Sequence, residues 1–419
     1  MRYLNILGEK RKIPPYPHHK DYVYRCRHFF KANHLVGLLL LNGVYRMLRR
    51  KWMQYRKNYA IPLCLLIDPT SACNLDCTGC WAADYDRSSR LSYEKLDEII
   101  TDARKLGVIE IMFSGGEPMM RKDDILNLCR KHHQLTFGMY TNGTLIDESF
   151  ADEMARLGNL NVFISIEGFK EKTDFRRGAG TFDKVIAAMD ILKKRDIGFG
   201  FSICYHSQNC EEVCSDEFLD FLREKGAWVG WMFLYMPIGE KADMSLCLNP
   251  DQRAMVKATA EAYMTKHDFT LIDFANMGHK AFGCVGAGNE FVHINANGDL
   301  EPCAFFHYSD VNIKDMRLAE ALKSPFFKHF RNQKPFSDNP FQPCPIMDKP
   351  NALNELSKSK GMHSTHLESS EEMHQLAEKT KLQAEKWEPI ADQMHHEISK
   401  KEMTKINKFR KHLLYKDSE

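Results

Sequence analysis

The sequence predicts an α/β fold: a partial (β/α)6 barrel with a small cysteine-bearing β-hairpin and helix extension and with helical termini. Between residues 61 and 235, apolar runs alternate six times with amphipathic segments, as strands and crossover helices do in parallel sheets. Polar, glycine-rich segments follow the first four runs, where the strands of such a barrel end. The chain has 419 residues, 43% hydrophobic and 27% charged, which is typical of globular proteins.

The predicted strands are 61–67, 108–113, 136–141, 160–166, 198–205 and 228–235. Capping and helix-ending residues mark the limits of the helices between these strands. Ser92 is a capping residue for the first helix, which Gly107 ends. Asp147 and Gly158 bound another helix in the same way, and Thr181 opens a third. Because parallel strands are joined by right-handed crossovers, we expect these units to follow one another around the barrel.

A group of cysteines directly follows the first predicted strand. Cys73, Cys77 and Cys80 stand in the spacing CxxxCxxC. Three thiolates can hold three irons of a [4Fe–4S] cube and leave the fourth iron open to a small molecule. A zinc site and three unrelated free cysteines are the alternatives, although structural zinc normally takes four ligands and no CxxC pair lies nearby.

Polar motifs also follow the next three strands: Ser114–Pro118, Thr141–Gly143 and Ser165–Gly168. Carboxyl ends of barrel strands form one face, so we expect these motifs to converge with the cysteine loop. Gly115 and Gly116 let the backbone approach a ligand closely because they lack a Cβ atom. The carboxylate of Glu117 can hold an ammonium group.

The CxxxCxxC loop and the Gly115–Pro118 segment resemble signatures of the radical S-adenosylmethionine (SAM) superfamily. The resemblance implies an enzyme in which Cys73, Cys77 and Cys80 ligate the catalytic cube. It also implies reductive SAM cleavage to a 5′-deoxyadenosyl radical, which abstracts hydrogen from an unactivated C–H bond. The SAM-binding residues that it implies are Gly115, Gly116, Glu117, Pro118, Asn142, Ser165, Glu167 and Arg177. No residue stands out as an acid or base for the substrate.

Several of these positions suit more than one role or depart from the family pattern. Glu167 stands where relatives usually carry Asp in an SxDG segment that binds the SAM ribose. Arg177 is implied to pair with the SAM carboxylate, but a surface arginine is the alternative. Asn142 also suits a Thr-Asn-Gly turn for backbone reasons alone. Gly79 replaces an aromatic residue that packs on adenine in many relatives, and Trp81 comes two residues later. This detail, together with a basic N-terminal lead-in, most resembles the hopanoid adenosyltransferase group and other lipid-directed members.

A second cysteine group follows the predicted barrel. Cys284, Cys303 and Cys344 flank an Asn-Gly hairpin signal. The pattern resembles the twitch, or shortened SPASM, extension of radical SAM enzymes, which implies an auxiliary [4Fe–4S] cluster. With three cysteines, the fourth iron would be open or held by Asp348 or His366. Three buried free cysteines are the alternative.

The termini are strongly basic. Residues 1–60 hold 14 lysines and arginines against two acidic residues, a charge of +12 in a chain whose total is +2. The apolar patch His34–Leu48 is too short to cross a bilayer, but with the arginines and aromatics that follow it suits a helix lying in a membrane interface. The alternative is a helix packed across the bottom of the barrel. Near the C-terminus, Ile406, Phe409 and Leu413 form a similar apolar stripe beside lysines.

Four segments are predicted: an N-terminal arm and amphipathic helix (1–60), the barrel (61–245), a linker helix with the auxiliary-cluster extension (246–350), and a basic helical tail (351–419). Thirteen cysteines without a secretory signal favour metal binding in a reducing cytoplasm. We therefore expect a cytoplasmic protein, peripheral at the inner face of the membrane.

The predicted function is a radical SAM enzyme acting on a membrane lipid or isoprenoid chain. The alternatives are a maturase that modifies a peptide or protein, and a non-enzymatic iron–sulfur protein for electron transfer or structure. The expected partners are a flavodoxin- or ferredoxin-type reductant and the membrane surface, reached through the basic termini. No nucleic-acid partner is expected.

Overall fold

The protein is described here from a computed structural model, in which residues 3–6, 9–12, 43–281, 283–288, 290–369, 371–398, 402–404 and 406–408 are described. Strands β1 (Tyr3–Ile6) and β2 (Glu9–Lys12) pair antiparallel, in a stretch where an irregular arm was predicted. The apolar residues 34–42, Phe409 and Leu413 lie outside the described residues.

One sheet of nine strands forms the centre of the molecule. Its members are β3 (Cys64–Ile67), β4 (Glu110–Phe113), β5 (Thr136–Thr141), β6 (Leu160–Ser165), β7 (Phe199–Tyr205), β8 (Ala227–Leu234), β9 (Thr270–Ile272), β10 (Phe291–Ile294) and β11 (Leu300–Glu301). Their spatial order is β11-β10-β3-β4-β5-β6-β7-β8-β9. All neighbours pair parallel except β10 and β11. The six predicted barrel strands are β3 to β8, in the expected order, so the predicted partial barrel is confirmed.

The helices up to the end of the barrel are α1 (Gly43–Lys57), α2 (Tyr93–Leu106), α3 (Lys122–Lys131), α4 (Glu148–Leu157), α5 (Lys170–Arg177), α6 (Thr181–Lys194), α7 (Cys210–Val213, one turn), α8 (Asp216–Lys225) and α9 (Pro250–His267). After them come α10 (Gly278–Ala281), α11 (Leu318–Ala321), α12 (Pro325–Asn332), α13 (Asn351–Leu356) and α14 (Met373–Glu397). A short pair, β12 (Tyr308–Ser309) and β13 (His363–Ser364), lies outside the central sheet.

The predicted helix ends are confirmed. Ser92 accepts a hydrogen bond from Lys95 N at the start of α2, and Gly107 ends this helix with φ 91°. Asp147 caps α4, and Gly158 ends it with φ 65°. These local signals fix where each crossover returns to the sheet.

The sheet buries both of its faces. Side chains such as Ile111, Phe137 and Ile164 point outward beneath the helices and are fully buried. Alternate residues, which include Met112 and Phe163, point inward and form a second apolar cluster. The barrel interior is therefore apolar, and its polar groups lie at the strand ends.

The predicted hairpin at the Asn-Gly signal is β10–β11. β10 also pairs parallel with β3, so the extension continues the barrel sheet at its first strand. The pairing of β10 with β3 was not predicted. The boundary predicted at 245/246 falls between β8 and β9, which pair with each other.

Helix α1 packs beneath the barrel. Arg46 donates to Gln134 O (3.2 Å) ahead of β5, and Arg50 donates to Ile61 O (2.6 Å) ahead of β3. Each arginine is only 6% exposed. One of the two predicted arrangements, a helix across the bottom of the barrel, is therefore present. Among the described helices, none has the length and apolar character needed to cross a bilayer.

Candidate active site

The cysteine loop leaves the carboxyl end of β3 and is held by the end of α5. Thr78 N donates to Arg176 O (2.8 Å), and Arg176 Nη2 donates to Gly79 O (3.4 Å). Within the loop, Cys80 N donates to Cys77 O (3.2 Å). The loop that carries the predicted iron ligands is thus fixed at the carboxyl end of the barrel, as expected.

The three sulfur atoms lie close enough to influence one another. Burial raises the pKa of the Cys73 thiol, and charge on Cys77 and Cys80 raises it further. Burial also raises the pKa of Cys80, although Arg176 and Arg177 act in the opposite direction. Three soft sulfur donors beside two guanidinium cations fit an iron–sulfur cluster, whose thiolate ligands must be deprotonated. Among the described residues, no three Cys, His, Asp or Glu side chains lie close enough together to hold a single metal ion. Ligation of a cluster by Cys73, Cys77 and Cys80 therefore stays a prediction.

The Gly-Gly-Glu-Pro turn packs directly on the lead-in to this loop. Gly116 N donates to Thr70 O (3.1 Å), and Glu117 N donates to Ala72 O (2.8 Å). A Cβ atom at Gly116 would lie 2.3 Å from the carbonyl oxygen of Ala72. Glycine is therefore required here for the contact between the two motifs.

Glu117 itself holds neighbouring segments together. Its carboxylate is 1% exposed and accepts hydrogen bonds from Met119 N (2.9 Å), Thr141 Oγ1 (2.7 Å) and Asn142 N (2.7 Å). This arrangement makes Glu117 a positioning residue between two motifs. Its contact with the SAM ammonium group stays a prediction.

Asn142 connects the third-strand motif to the cysteine loop. Its Nδ2 donates to Asn74 Oδ1 (2.8 Å), and Asn74 Nδ2 donates to Thr144 Oγ1 (2.9 Å). Asn142 Oδ1 accepts a hydrogen bond from Thr144 N (3.0 Å), as in an Asx turn. Asn142 therefore has the predicted role in the turn. Its hydrogen bond to Asn74 also orders the loop between Cys73 and Cys77.

Glu167 and Arg177 are paired with each other. Oε1 of Glu167 accepts from Arg177 Nε (2.8 Å) and Arg176 Nη1 (2.8 Å), and Oε2 accepts from Cys204 N (3.1 Å). Glu167 is fully buried. The guanidinium predicted to bind the SAM carboxylate therefore already holds a carboxylate of the chain. Its contact with SAM stays a prediction. Ser165 Oγ, at the end of β6, lies 3.0 Å from Ser202 Oγ in the middle of β7.

Tyr235, just after β8, was not predicted as a site residue. Gly79 has φ 62°, and a Cβ atom there would lie 2.7 Å from the Tyr235 ring. Tyr235 therefore fills the space beside the position that is aromatic in many relatives. Its place at the end of the sixth predicted strand, 228–235, was the signal available in the sequence. Trp81 points elsewhere, toward His293 and Phe305 in the extension, with ring centroids 5.7 and 6.1 Å away.

A buried polar network joins the cysteine loop to the extension. His293 lies with Nε2 2.9 Å from Asp68 Oδ2 and Nδ1 2.6 Å from Glu301 Oε2. Tyr85 donates to Glu301 Oε1 (2.8 Å). Although burial lowers the pKa of His293, the two carboxylates raise it to about 10. An imidazolium thus links β10 and β11 to the end of β3.

The cysteines of the second group also lie close enough to influence one another's pKa. Burial raises the pKa of Cys303 well above its usual value, and charge on Cys284 and Cys344 adds to the effect. Burial raises the pKa of Cys344 to about 12. The Lys334 ammonium group, 2% exposed, donates to Cys284 O (2.9 Å). Three sulfur donors with a buried cation beside them fit the predicted auxiliary cluster.

Both predicted fourth ligands already have protein partners. Asp348 accepts from Arg253 Nη1 (2.7 Å) through Oδ1 and from Cys344 N (2.9 Å) through Oδ2. His366 Nε2 lies 2.8 Å from His307 Nδ1. Ligation of the fourth iron by Asp348 or His366 stays a prediction.

Two family models match the chain. The radical SAM superfamily model matches residues 67–222, and the SPASM iron–sulfur cluster-binding domain matches residues 284–345. The first match contains Cys73, Cys77 and Cys80, and the second contains Cys284, Cys303 and Cys344.

Curated relatives match with moderate identity. An uncharacterized protein of Archaeoglobus fulgidus is 38% identical over 30% of this chain, a match that spans about a third (31%) of that relative's length. The mycofactocin maturase MftC of Mycolicibacterium smegmatis is 29% identical over 60% of this chain and 67% of its own. The PqqA peptide cyclase of Gluconobacter oxydans is 26% identical over 64% and 79%. The AdoMet-dependent heme synthase of Methanosarcina barkeri is 24% identical over 60% and 79%.

Solved structures share the fold. Streptococcus suis SuiB bound to S-adenosylmethionine aligns over 70% of this chain and 74% of its own, with TM-score 0.59 and 19% identity. The enzyme anSMEcpe with bound AdoMet aligns over 83% and 98%, with TM-score 0.52 and 22% identity. At these identities the likeness concerns the fold alone.

Proposed function

We propose that this chain, a radical SAM enzyme with a SPASM-type iron–sulfur extension, abstracts hydrogen from an unactivated C–H bond of a peptide or protein. The observation that carries the proposal is the convergence of the cysteine loop, the Gly-Gly-Glu-Pro turn and the Arg177–Glu167 pair at one end of the barrel. A [4Fe–4S] cluster on Cys73, Cys77 and Cys80 would supply the electron for SAM cleavage.

The protein's own residues orient the cofactor and shield the reaction. The backbone of Gly115 and Gly116 lies against the cysteine loop, where it can approach the SAM amino group. Arg177, fixed by Glu167, pairs with the SAM carboxylate. The inward face of the sheet presents apolar side chains, among them Phe163, and keeps water away from a reactive radical.

The relatives favour a peptide over the lipid predicted from the sequence. Two of them are named as a maturase and a peptide cyclase, and they match 60% and 64% of this chain. None of the four relatives has a lipid in its name. We therefore adopt the alternative that the sequence left open, modification of a peptide or protein, in place of the lipid or isoprenoid chain.

Three predictions about the cellular setting belong to this proposal. A flavodoxin or ferredoxin supplies the electrons, because reductive cleavage of SAM needs a low-potential donor. The auxiliary cluster sits on Cys284, Cys303 and Cys344. The enzyme works in the cytoplasm, in contact with a membrane surface through its basic N-terminal region.

Iron counting and SAM cleavage test the catalytic assignment. Anaerobic reconstitution should give about eight irons per chain, as two cubes require. Cys77→Ala should lower this to about four and abolish 5′-deoxyadenosine formation with dithionite. Cys64→Ala is the matched control, because this part-exposed cysteine lies at the opposite end of β3. Full 5′-deoxyadenosine formation by Cys77→Ala would refute the proposal.

The substrate class is tested separately. Candidate precursor peptides encoded beside the gene should accelerate 5′-deoxyadenosine formation and gain a mass change that depends on Cys77. If peptides have no effect while isolated membrane lipids are modified, the peptide assignment is wrong and the radical SAM chemistry stands.

A further inference from the structure

Helix α1 turns two arginines toward the barrel and most of its apolar side chains outward, which is the reverse of an ordinary amphipathic surface helix. Its arginines Arg46 and Arg50 are buried against the barrel. Except for Met53, which is partly buried against the core, its large apolar and aromatic side chains point outward, with exposed fractions of 55% for Val44, 58% for Tyr45, 45% for Met47, 63% for Leu48, 51% for Trp52 and 86% for Tyr55. A surface helix normally turns its apolar stripe to the core. We therefore expect a ligand to cover this outward apolar stripe.

The contacts of α1 fix this orientation. Besides the carbonyl contacts of its two buried arginines, Arg50 pairs with Glu290 at 3.4 Å. A Cβ atom at Gly107 would lie 2.7 Å from Arg50 N and 2.9 Å from Arg46 O, so the helix backbone rests on the end of α2. Rolling the helix to bury its apolar face would break these contacts and leave buried carbonyls unpaired.

On α1 itself, the charged side chains that border the outward face are all cationic. Lys51, Arg56 and Lys57 are exposed, and Arg56 lies over the Trp52 ring at 4.8 Å. Helix α1 contains no acidic residue, and the first 60 residues contain two. The segment directly before it, Leu35–Leu41, is apolar in sequence.

We infer that the outward face of α1 docks the enzyme on an anionic phospholipid membrane. Leu48 and Trp52 enter the boundary between headgroups and acyl chains, and the surrounding cations meet lipid phosphates. Tyrosine and tryptophan favour this depth because they are apolar with a polar edge. A second copy of the chain fits less well, since a two-fold interface would bring the cationic border against itself.

This docking orients the active site proposed above. Helix α1 lies at the amino ends of the strands, whereas the cysteine loop leaves the carboxyl end of β3. A membrane bound by α1 is therefore on the far side of the barrel from the catalytic cysteines. The contact tethers the enzyme and leaves the site open to an aqueous substrate, in agreement with a peptide substrate.

Vesicle flotation of the full-length protein tests the docking. The wild type should float with vesicles of phosphatidylcholine and an equal part of phosphatidylglycerol, and not with phosphatidylcholine alone. The double variant Leu48→Ser, Trp52→Ser should bind at least about tenfold more weakly. Leu382→Ser, which changes a 56% exposed leucine on α14, should bind like the wild type.

Two further measurements test the role of the cationic side chains and the depth at which Trp52 enters the membrane. Lys51→Glu with Lys57→Glu should abolish the preference for anionic vesicles, because each surface cation adds to attraction by anionic lipid. Brominated lipids should quench the fluorescence of the wild type and not of Trp52→Phe.

Three results would overturn the docking: no binding by the wild type, equal binding to both vesicle types, or binding that survives Leu48→Ser with Trp52→Ser. Concentration-dependent dimerisation that the same double variant abolishes would assign the face to a second copy instead. Flotation is measured without SAM, so its failure leaves the proposed reaction intact. Loss of SAM cleavage would equally leave docking intact.

Discussion

His293 shows how one residue can hold two parts of the molecule together. It is fully buried between Asp68, at the end of β3, and Glu301, on β11. The cost of burying two carboxylates is offset only while a cation lies between them. The imidazolium is therefore a structural cation, and its removal would leave two negative charges in the interior.

Replacing His293 should destabilise the protein and change its pH dependence. His293→Gln should lower the free energy of unfolding by about 3–5 kcal/mol, measured by denaturant unfolding with an unchanged m-value. The folded pKa is about 10 against an ordinary 6.5, so the stabilisation is complete below pH 6.5 and is lost as the pH rises to 10. The difference between wild type and variant should shrink over that range.

The control is His363→Gln, because the side chain of His363 is 52% exposed. Its effect should stay within about 0.5 kcal/mol. A His293→Gln variant as stable as the wild type at pH 6 would show that the network does not support the fold.

Several residue-level contacts could not be read from the sequence. Glu167 differs from the family's aspartate, and the structure shows that its carboxylate reaches both Arg176 and Arg177. Gly79 lacks a side chain because Tyr235, far away in sequence, occupies the adjoining space. The Gly79–Tyr235 contact depends on how distant strands meet, whereas each residue's place at a strand end follows from local pattern.

At the scale of elements, local signals were sufficient for the barrel helices and insufficient for α1. Caps such as Ser92 and Asp147 are confirmed because the bonds they make are local. The apolar side of α1 is equally clear in the sequence, but the sequence left open whether the helix lies in a membrane interface or packs across the bottom of the barrel. Carbonyls at the strand starts bind its arginines instead, and only the structure shows this.

Gly107 joins two helices and offers a test of the α1 contact. Gly107→Ala should destabilise the protein more than Gly226→Ala, although both glycines end helices, with φ 91° and 113°. At Gly226 a Cβ atom would meet only ordinary contact, 3.5 Å from the Phe199 ring, so the cost is the backbone strain of about 1–2 kcal/mol. At Gly107 the methyl group would also displace α1.

Amide hydrogen exchange should distinguish displacement of α1 from backbone strain at the substituted glycine. Gly107→Ala should speed exchange of amides across Gly43–Lys57, and Gly226→Ala should leave them protected. Equal exchange in both variants would mean that the α1 backbone does not rest on Gly107.

For the whole molecule, the barrel and the extension form one sheet. The six-strand barrel was predictable because hydrophobic runs and turns recur along the chain. The position of β10 beside β3 was not, because a pairing over more than 220 residues leaves no local signal. This pairing places the extension at the edge of the strand that leads into Cys73, Cys77 and Cys80, the predicted ligands of the catalytic cluster.

A chain shortened to end at residue 281 should therefore fail to fold as a stable barrel. Without β10, β3 becomes an open edge, and Asp68 and Tyr85 lose the partners His293 and Glu301. We expect aggregation, or a broad thermal transition by circular dichroism in place of the single cooperative one of the full chain. A shortened chain that melts cooperatively and still incorporates about four irons would show instead that the extension is an independent domain. In that case the buried imidazolium would connect two separately stable units, and its replacement should loosen their contact without unfolding either one.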